Sequence, residues 1–128
     1  EEFPNQKTIK RTYVRTLNLI KELYPDIRKT RWKNRTDFYS LFVVIAELLQ
    51  SQVLPATQHS ALKKALGTFT ADVDTRIHDE SAKVPKLAAE YARNAIKGVS
   101  DRSRRAIRHD ALMTTVHGFF KDPPKSKV

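Results

Sequence analysis

Residues 36–52 read TDFYSLFVVIAELLQSQ, and their composition predicts the centre of the fold. Apolar side chains recur every three or four residues, and further apolar residues fill most of the remaining circumference, as in a buried helix. The first set is Phe38, Leu41, Phe42, Ile45, Leu48 and Leu49, and the second is Tyr39, Val43, Val44 and Ala46. Arg35 lies just before the stretch and Glu47 lies inside it, so it is too short and too charged to span a membrane. We expect Asn34 or Thr36 to cap its start.

The flanking sequence predicts an all-α bundle of five or six helices around this central one. Residues 7–24 carry an apolar stripe that ends at Pro25, where proline stops a helix. The stripe consists of Ile9, Tyr13, Leu17, Ile20 and Tyr24. We expect residues 1–6 to be a lead-in, residues 7–120 to form a single helical domain, and residues 121–128 to be a linker or a frayed end.

The second half of the chain predicts shorter helices. Residues 56–66 show a narrow apolar edge and are followed by Gly67, a residue that favours the turn closing a helix. Residues 68–83 are less decisive: Thr70 could cap a helix through Val73 and Ile77, but the segment is polar and its carboxylates are most simply solvated. A helix is predicted from Pro85 to Gly98 and another from Ser100, its expected cap, to about residue 117. The inward side chains expected in the last helix are Ile107, Ala111, Leu112 and Val116.

Composition restricts the functional classes. The 128 residues contain no cysteine, which excludes disulfides, thiolate metal sites and thiol catalysis and fits a cytoplasmic protein. The formal net charge is +10 and the pI is about 10.0, so a polyanionic partner is favoured and nucleic acid is the commonest. No segment resembles a signal peptide or a membrane span, and we expect no membrane partner. The chain starts at Glu1, and we interpret it as part of a longer protein.

Two basic clusters are the candidate binding residues. The first surrounds the only tryptophan and the second occupies the first half of the last predicted helix, where positive charge opposes the helix dipole. Basic residues interleaved with an aromatic residue can neutralise phosphates and stack on a base. Alternatively, Trp32 anchors its loop on the core while the charges face water. The clusters comprise Arg28, Lys29, Arg31, Trp32, Lys33 and Arg35, and Arg102, Arg104, Arg105 and Arg108.

Motifs for catalysis or cofactors are weak. Three isolated glycines do not make a phosphate-binding loop. His59, His78, His109 and His117 do not pair at the spacing that places two ligands on one helical face, so we predict no metal or other cofactor. One alternative is an enzyme: Arg104 precedes His109 by five residues, which resembles the motif of HEPN ribonucleases, where histidine acts as a base and arginine stabilises phosphate charge. That motif usually has Asn, Asp or His directly after the arginine, whereas here Arg105 follows.

A family resemblance covers most of the chain. Residues 32–42 (WKNRTDFYSLF), residues 91–95 (YARNA) and residues 100–112 (SDRSRRAIRHDAL) resemble the helical C-terminal part of GmrSD-type proteins, catalogued as domain of unknown function 262. In that family a ParB/sulfiredoxin-like N-terminal domain carries nucleotide hydrolysis and is associated with restriction of foreign DNA. Its catalytic signature is absent here. The resemblance implies a non-catalytic helical module of a larger DNA-targeting protein, and it allows a nucleotide-dependent nuclease as the parent.

The sequence thus predicts a non-catalytic helical module that contacts nucleic-acid phosphates, with DNA favoured over RNA, and that belongs to a restriction or phage-defence protein. No recognition helix with base-reading side chains is apparent, so contact is expected to be independent of sequence. Two alternatives stay open. One is the HEPN-like ribonuclease, and the other is a scaffold that docks on the remaining domains of the parent chain.

Overall fold

Five α-helices build the described part of the chain. The computed structural model describes residues 6–95 and 101–124, and within them it contains no β-strand. The predicted all-α bundle is therefore confirmed. The helices are α1 (Gln6–Leu23), α2 (Arg35–Leu49), α3 (His59–His78), α4 (Lys86–Arg93) and α5 (Arg102–Val116). Short 3-10 turns lie at Ile27–Lys29, Arg31–Lys33, Ala56–Gln58 and His117–Phe119.

The core is organised around α2, as the sequence predicts. Leu41, Val44 and Ile45 are completely buried, and both α1 and α5 pack on this helix. One part of its circumference remains open, because Tyr39 is 54% exposed. The expectation that α2 is enclosed on nearly every side is thus wrong at this position, and an aromatic ring lies at the surface.

The buried face of α1 differs from the predicted stripe. Ile9 and Tyr13 are 62% and 55% exposed, whereas Thr12 and Thr16 are buried. The Thr16 hydroxyl donates to the Thr12 carbonyl over 2.7 Å, so its burial leaves no unpaired polar group. The inward face therefore passes through threonines, which a search for apolar residues overlooks. The Tyr13 ring nevertheless contacts the Phe42 ring of α2, at 5.1 Å between centroids.

The third helix is much longer than predicted. It continues through Gly67 to His78, so the glycine lies inside α3 instead of closing a shorter helix. Leu62, Leu66 and Val73 form one completely buried stripe along it. Burial of that stripe outweighs the modest cost of an internal glycine. The polar segment after Gly67 is consequently helical as far as His78. The predicted stop at Gly67 was wrong, whereas a helix through Val73 and Ile77 was one of the possibilities that the sequence left open.

The helices α4 and α5 meet at the C-terminal end of α4. Asn94 is the residue after α4, and residues 96–100, with the predicted Gly98 stop and Ser100 cap, lie outside the described residues. Asp101 caps α5, since its carboxylate accepts from the Ser103 backbone N–H over 2.8 Å. Ile107 is 38% exposed, contrary to prediction, and Arg108 points inward in its place.

The segment after α5 returns to the chain between α2 and α3. Val53 and Lys121 exchange two backbone hydrogen bonds of 2.8 and 2.9 Å. The Gln52 amide donates to the Asp122 carboxylate over 3.4 Å. These bonds attach the last described residues to the far end of α2, away from its basic start.

Candidate nucleic-acid interface

The start of α2 is held by a network around a buried carboxylate. Asp37 is 3% exposed and accepts from Arg31 Nη1 over 3.0 Å, from Asn34 Nδ2 over 3.3 Å, and from the Tyr91 hydroxyl. Arg31 Nε also donates to Asp74 of α3 over 2.9 Å. Asn34 precedes α2 as its cap residue, but its side chain bonds Asp37 and not a backbone N–H. The network thus ties the basic loop to α2, α3 and α4.

This network shifts the pKa values of its members in directions that fit a structural role. Burial alone would lower the pKa of Arg31, but hydrogen bonds to Asp74 and the nearby carboxylates raise it above its ordinary value. Burial, followed by the charge of Asp37, raises the pKa of the Tyr91 hydroxyl far above its usual range. Asp74, expected to be solvated, is instead an ion-pair partner. Arg31 is therefore committed to the fold and not available to a ligand.

Two arginines of the second cluster are also used internally. Arg104 Nη1 donates to the Arg93 carbonyl over 3.2 Å, and Arg108 Nη1 donates to the Asn94 carbonyl over 2.7 Å. Both place positive charge at the C-terminal end of α4, where the helix dipole is negative. Their position at the unfavourable start of α5 is thereby explained without a ligand. Arg108 is 1% exposed, and burial lowers its pKa.

The remaining basic residues at this end of the bundle are exposed. Asp37 near the start of α2 and Arg104 near the start of α5 both bond to residues at the end of α4, so α2 and α5 begin side by side. None of the exposed arginines and lysines in the two clusters forms an ion pair with another described residue. They are Arg28 and Lys29 on the first 3-10 turn, Lys33 and Arg35 at the start of α2, and Arg102 and Arg105 on α5.

A groove of about 300 Å³ separates the first halves of α2 and α5. Tyr39 and Val43 form its α2 wall, Ala106 lies opposite, and two arginines stand along its α5 edge. We call this the α2–α5 groove; its complete lining is Tyr39, Ser40, Val43, Arg102, Arg105, Ala106 and His109. Arg35 lies one helical turn before Tyr39 and therefore on the same face of α2. The groove combines an aromatic wall with a basic rim.

Few negative charges oppose that rim. Hydrogen bonds from the Ser103 side chain and backbone lower the pKa of Asp101, which is therefore ionised at the start of α5. At the far end of the groove lining, His109 lies between two exposed carboxylates, Glu47 at 2.6 Å from Nε2 and Asp110 at 3.5 Å from Nδ1. Asp37 is enclosed by its network. Asp101 is thus the one exposed carboxylate among the described residues at the beginning of these two helices, against Arg35, Arg102 and Arg105.

The aromatic residue of this surface is Tyr39, which the sequence reasoning assigned to the core. Trp32 is 1% exposed and lies 6.5 Å from the Tyr24 ring, centroid to centroid, so it serves as the anchor of its loop and offers no ring face to a ligand. The signal for Tyr39 was available in principle. It lies one turn after Arg35 and is the one tyrosine of an otherwise aliphatic and phenylalanine-rich stretch. A tyrosine is favoured where its ring contacts apolar groups and its hydroxyl reaches water.

Arg104 and His109, the residues of the ribonuclease alternative, contact different helices. Arg104 faces the end of α4, whereas His109 Nε2 faces Glu47 of α2. Within one chain they do not converge on a common point, and the ribonuclease stays a prediction. No cluster of three potential metal ligands occurs among residues 6–95 and 101–124.

Comparison with protein-family models, curated proteins and solved structures found no match for this chain. None of the helices described here is both long enough and apolar enough to cross a membrane.

Proposed function

We propose that this chain is a non-catalytic helical module that contacts nucleic-acid phosphates, of DNA in preference to RNA, through the basic end of its bundle. The contacting side chains are Lys33, Arg35, Arg102 and Arg105, with Arg28 and Lys29 on the adjoining turn. One observation carries the proposal: the starts of α2 and α5 both bond to the end of α4, and the groove between them combines Arg102 and Arg105 with the exposed Tyr39, one turn after Arg35.

The division of the arginines supports this proposal. Arg31, Arg104 and Arg108 have internal partners that account for their presence. Arg35, Arg102 and Arg105 have no ion-pair partner among the described residues, although like charges near one another repel. Several unpaired cations on one surface are suited to successive phosphates, each of which releases counterions when it is neutralised.

The test compares two double variants with the same change of net charge. Arg102→Gln with Arg105→Gln removes charge from the groove, and Arg11→Gln with Arg15→Gln removes it from the exposed outer face of α1. Arg15 lines a separate recess beside Leu49, at the other end of α2. Fluorescence anisotropy with a labelled DNA duplex at low salt should show that Arg102→Gln with Arg105→Gln lowers the affinity about tenfold or more.

The α1 variant should lose much less affinity, because only the long-range field changes. Equal losses in both variants would contradict the proposed location and would leave only non-specific attraction by net charge. Parallel samples with single-stranded RNA, examined for shortened products, test the ribonuclease alternative. Cleavage that His109→Ala abolishes would replace the present proposal.

The resemblance to GmrSD-type proteins supplies a setting for this function. In that setting the module would be cytoplasmic, would belong to a restriction or phage-defence protein, and would hold DNA for a catalytic domain elsewhere in the parent chain. Its own residues would take no part in nucleotide hydrolysis. This assignment remains a proposal that rests on the similarity of residues 32–42, 91–95 and 100–112.

One observation favours a second candidate, docking on another protein surface. Ile9, Tyr13 and Val14 of α1 are each more than half exposed. Every charged residue of α1 before Glu22 is basic, so an acidic surface with apolar side chains would complement it. This scaffold function predicts weak nucleic-acid binding by the isolated chain, and the same anisotropy measurement therefore separates the two candidates.

A further inference from the structure

The α2–α5 groove has walls that phosphate binding alone does not require. Tyr39 is 54% exposed although it belongs to the central helix, and Val43 and Ala106 continue an apolar surface beside it. Exposing a large aromatic ring to water is unfavourable, whereas covering it with a flat apolar group is favourable. The recess of about 300 Å³ thus offers a binding surface for a planar group.

The polar groups around this wall match the other parts of a nucleotide. Arg35 lies one turn before Tyr39 on α2, and Arg102 and Arg105 line the opposite edge, so cations flank the ring on both sides. Ser40 also belongs to the groove lining, but it is buried and its Oγ accepts from Arg108 Nε over 3.3 Å, so the arginines supply the polar groups at the surface. An aromatic platform between cations is the arrangement that holds unpaired bases while their phosphates follow the charges.

We infer that Tyr39 stacks on an unpaired base, so that this surface prefers single-stranded nucleic acid to a duplex. The inference rests on the proposed function and specifies its ligand. In a duplex the bases are already stacked on one another and their faces are inaccessible to a side chain in a recess. A single strand can rotate a base onto the Tyr39 ring while neighbouring phosphates reach Arg35 on one side and Arg102 or Arg105 on the other.

An acidic peptide would satisfy the arginines but not the flat wall. The acidic side chains of such a peptide, aspartate and glutamate, carry no aromatic ring, so its affinity would depend little on the Tyr39 ring. Dependence on a base is therefore the property that distinguishes the two ligands. It also separates stacking from simple attraction between a basic protein and any polyanion.

The experiment uses two labelled octanucleotides with the same phosphates, one of thymidine and one in which every base is replaced by an abasic spacer. The wild-type chain should bind the thymidine strand about tenfold more tightly, which corresponds to about 1.4 kcal/mol. Tyr39→Ala should reduce this ratio to about one without weakening abasic binding, and Tyr39→Phe should preserve it. Tyr13→Ala is the matched control, because Tyr13 is 55% exposed but lies on α1 outside the groove lining.

The outcomes are separable. If both strands bind equally to the wild type, or if Tyr39→Ala leaves the ratio unchanged, the stacking inference is overturned while the phosphate-binding function stands. If neither strand nor a duplex binds at low salt, the stacking inference and the phosphate-binding function are both overturned. A Tyr39→Ala variant that loses abasic and thymidine binding equally also overturns the inference. Fluorescence of the buried Trp32 shows whether each variant is folded.

Discussion

Arg31 in the loop before α2 and Arg108 in α5 are both turned into the protein, but they are stabilised differently. Arg31 lies between the carboxylates of Asp37 and Asp74. Arg108 donates to the Ser40 hydroxyl and the Asn94 carbonyl, and no carboxylate of residues 6–95 or 101–124 lies within ion-pair distance of it. One cation is balanced by charge, and the other is solvated by neutral oxygens and the end of a helix.

The difference shows that some basic residues of this sequence stabilise the fold, whereas others are available for binding. In each cluster some arginines bond to partners within the protein and others remain exposed. Arg31, Arg104 and Arg108 connect the starts of α2 and α5 to α3 and α4. These contacts bring the exposed Arg35, Arg102 and Arg105 close together. Substitutions of the internal arginines should therefore act mainly on stability, and substitutions of the exposed ones mainly on binding.

Arg31→Met should have the largest effect on stability. It would leave Asp37 buried without its cation, and removing one partner of a buried pair costs about 3–5 kcal/mol. Urea unfolding, followed by Trp32 fluorescence, would measure the loss. The further change Asp37→Asn in the same chain should recover part of it, since the stranded charge is then removed. A loss below about 0.5 kcal/mol, typical of a surface site, would show that the network is unimportant.

Tyr91→Phe should cost less, about 1–3 kcal/mol, because Asp37 loses a single hydrogen-bond donor. This cost should depend on pH. Burial raises the pKa of the Tyr91 hydroxyl, so its contribution is complete below the ordinary tyrosine pKa of about 10 and is lost as the pH rises above that value. Unfolding at pH 8 and pH 11 should show the wild type and variant converging. A gap that widened with pH would contradict this assignment.

Arg108→Met should be milder, with a loss of about 1–2 kcal/mol. The substitution removes hydrogen bonds to neutral oxygens but strands no opposite charge, and a methionine of similar length fills much of the space. The quantity to compare is the difference between this loss and that of Arg31→Met, both measured in urea. Equal losses would mean that neutral oxygens stabilise Arg108 as strongly as carboxylates stabilise Arg31, and the contrast between the two arginines would be mistaken.

The smallest effect on stability is expected for Arg102→Gln with Arg105→Gln, within about 0.5 kcal/mol of the wild type. Both side chains are exposed and unpaired within the described part of the chain. The same variant should show the large loss of nucleic-acid affinity. If it unfolded as readily as Arg31→Met, these arginines would be structural too, and the division between internal and exposed arginines would fail.

The sequence predicts the framework because apolar periodicity is a strong local signal. The all-α class, the central helix and the approximate positions of α1, α4 and α5 follow from it. The errors arise where tertiary contacts outweigh local preference. Gly67 is helical because a buried stripe continues on either side, and Thr12 and Thr16 are buried because a threonine hydroxyl can bond within its own helix.

The candidate site is less accessible to prediction. Both basic clusters are evident in the sequence. Which of their arginines are bonded internally and which are exposed depends on contacts with the end of α4 and with a carboxylate of α3. These contacts join residues far apart in the sequence, so a local pattern does not predict them. For Trp32 the sequence left two alternatives open, an anchor in the core or a stacking ring, and the structure shows the anchor. Tyr39 was assigned to the core despite its position one turn after Arg35, because the packing of the neighbouring helices decides which ring stays uncovered. The adjacency of the two clusters follows only from the packing of α2 and α5.

The most direct test of the account is the salt dependence of wild-type binding to duplex DNA. Six basic side chains that each neutralise a phosphate should give a plot of log affinity against log salt with a slope of about −5.4. Removing Arg102 and Arg105 should reduce the magnitude of that slope to about two-thirds. Absence of binding at low salt, or a slope near zero, would contradict phosphate contact and leave docking on a protein partner as the function of this basic surface.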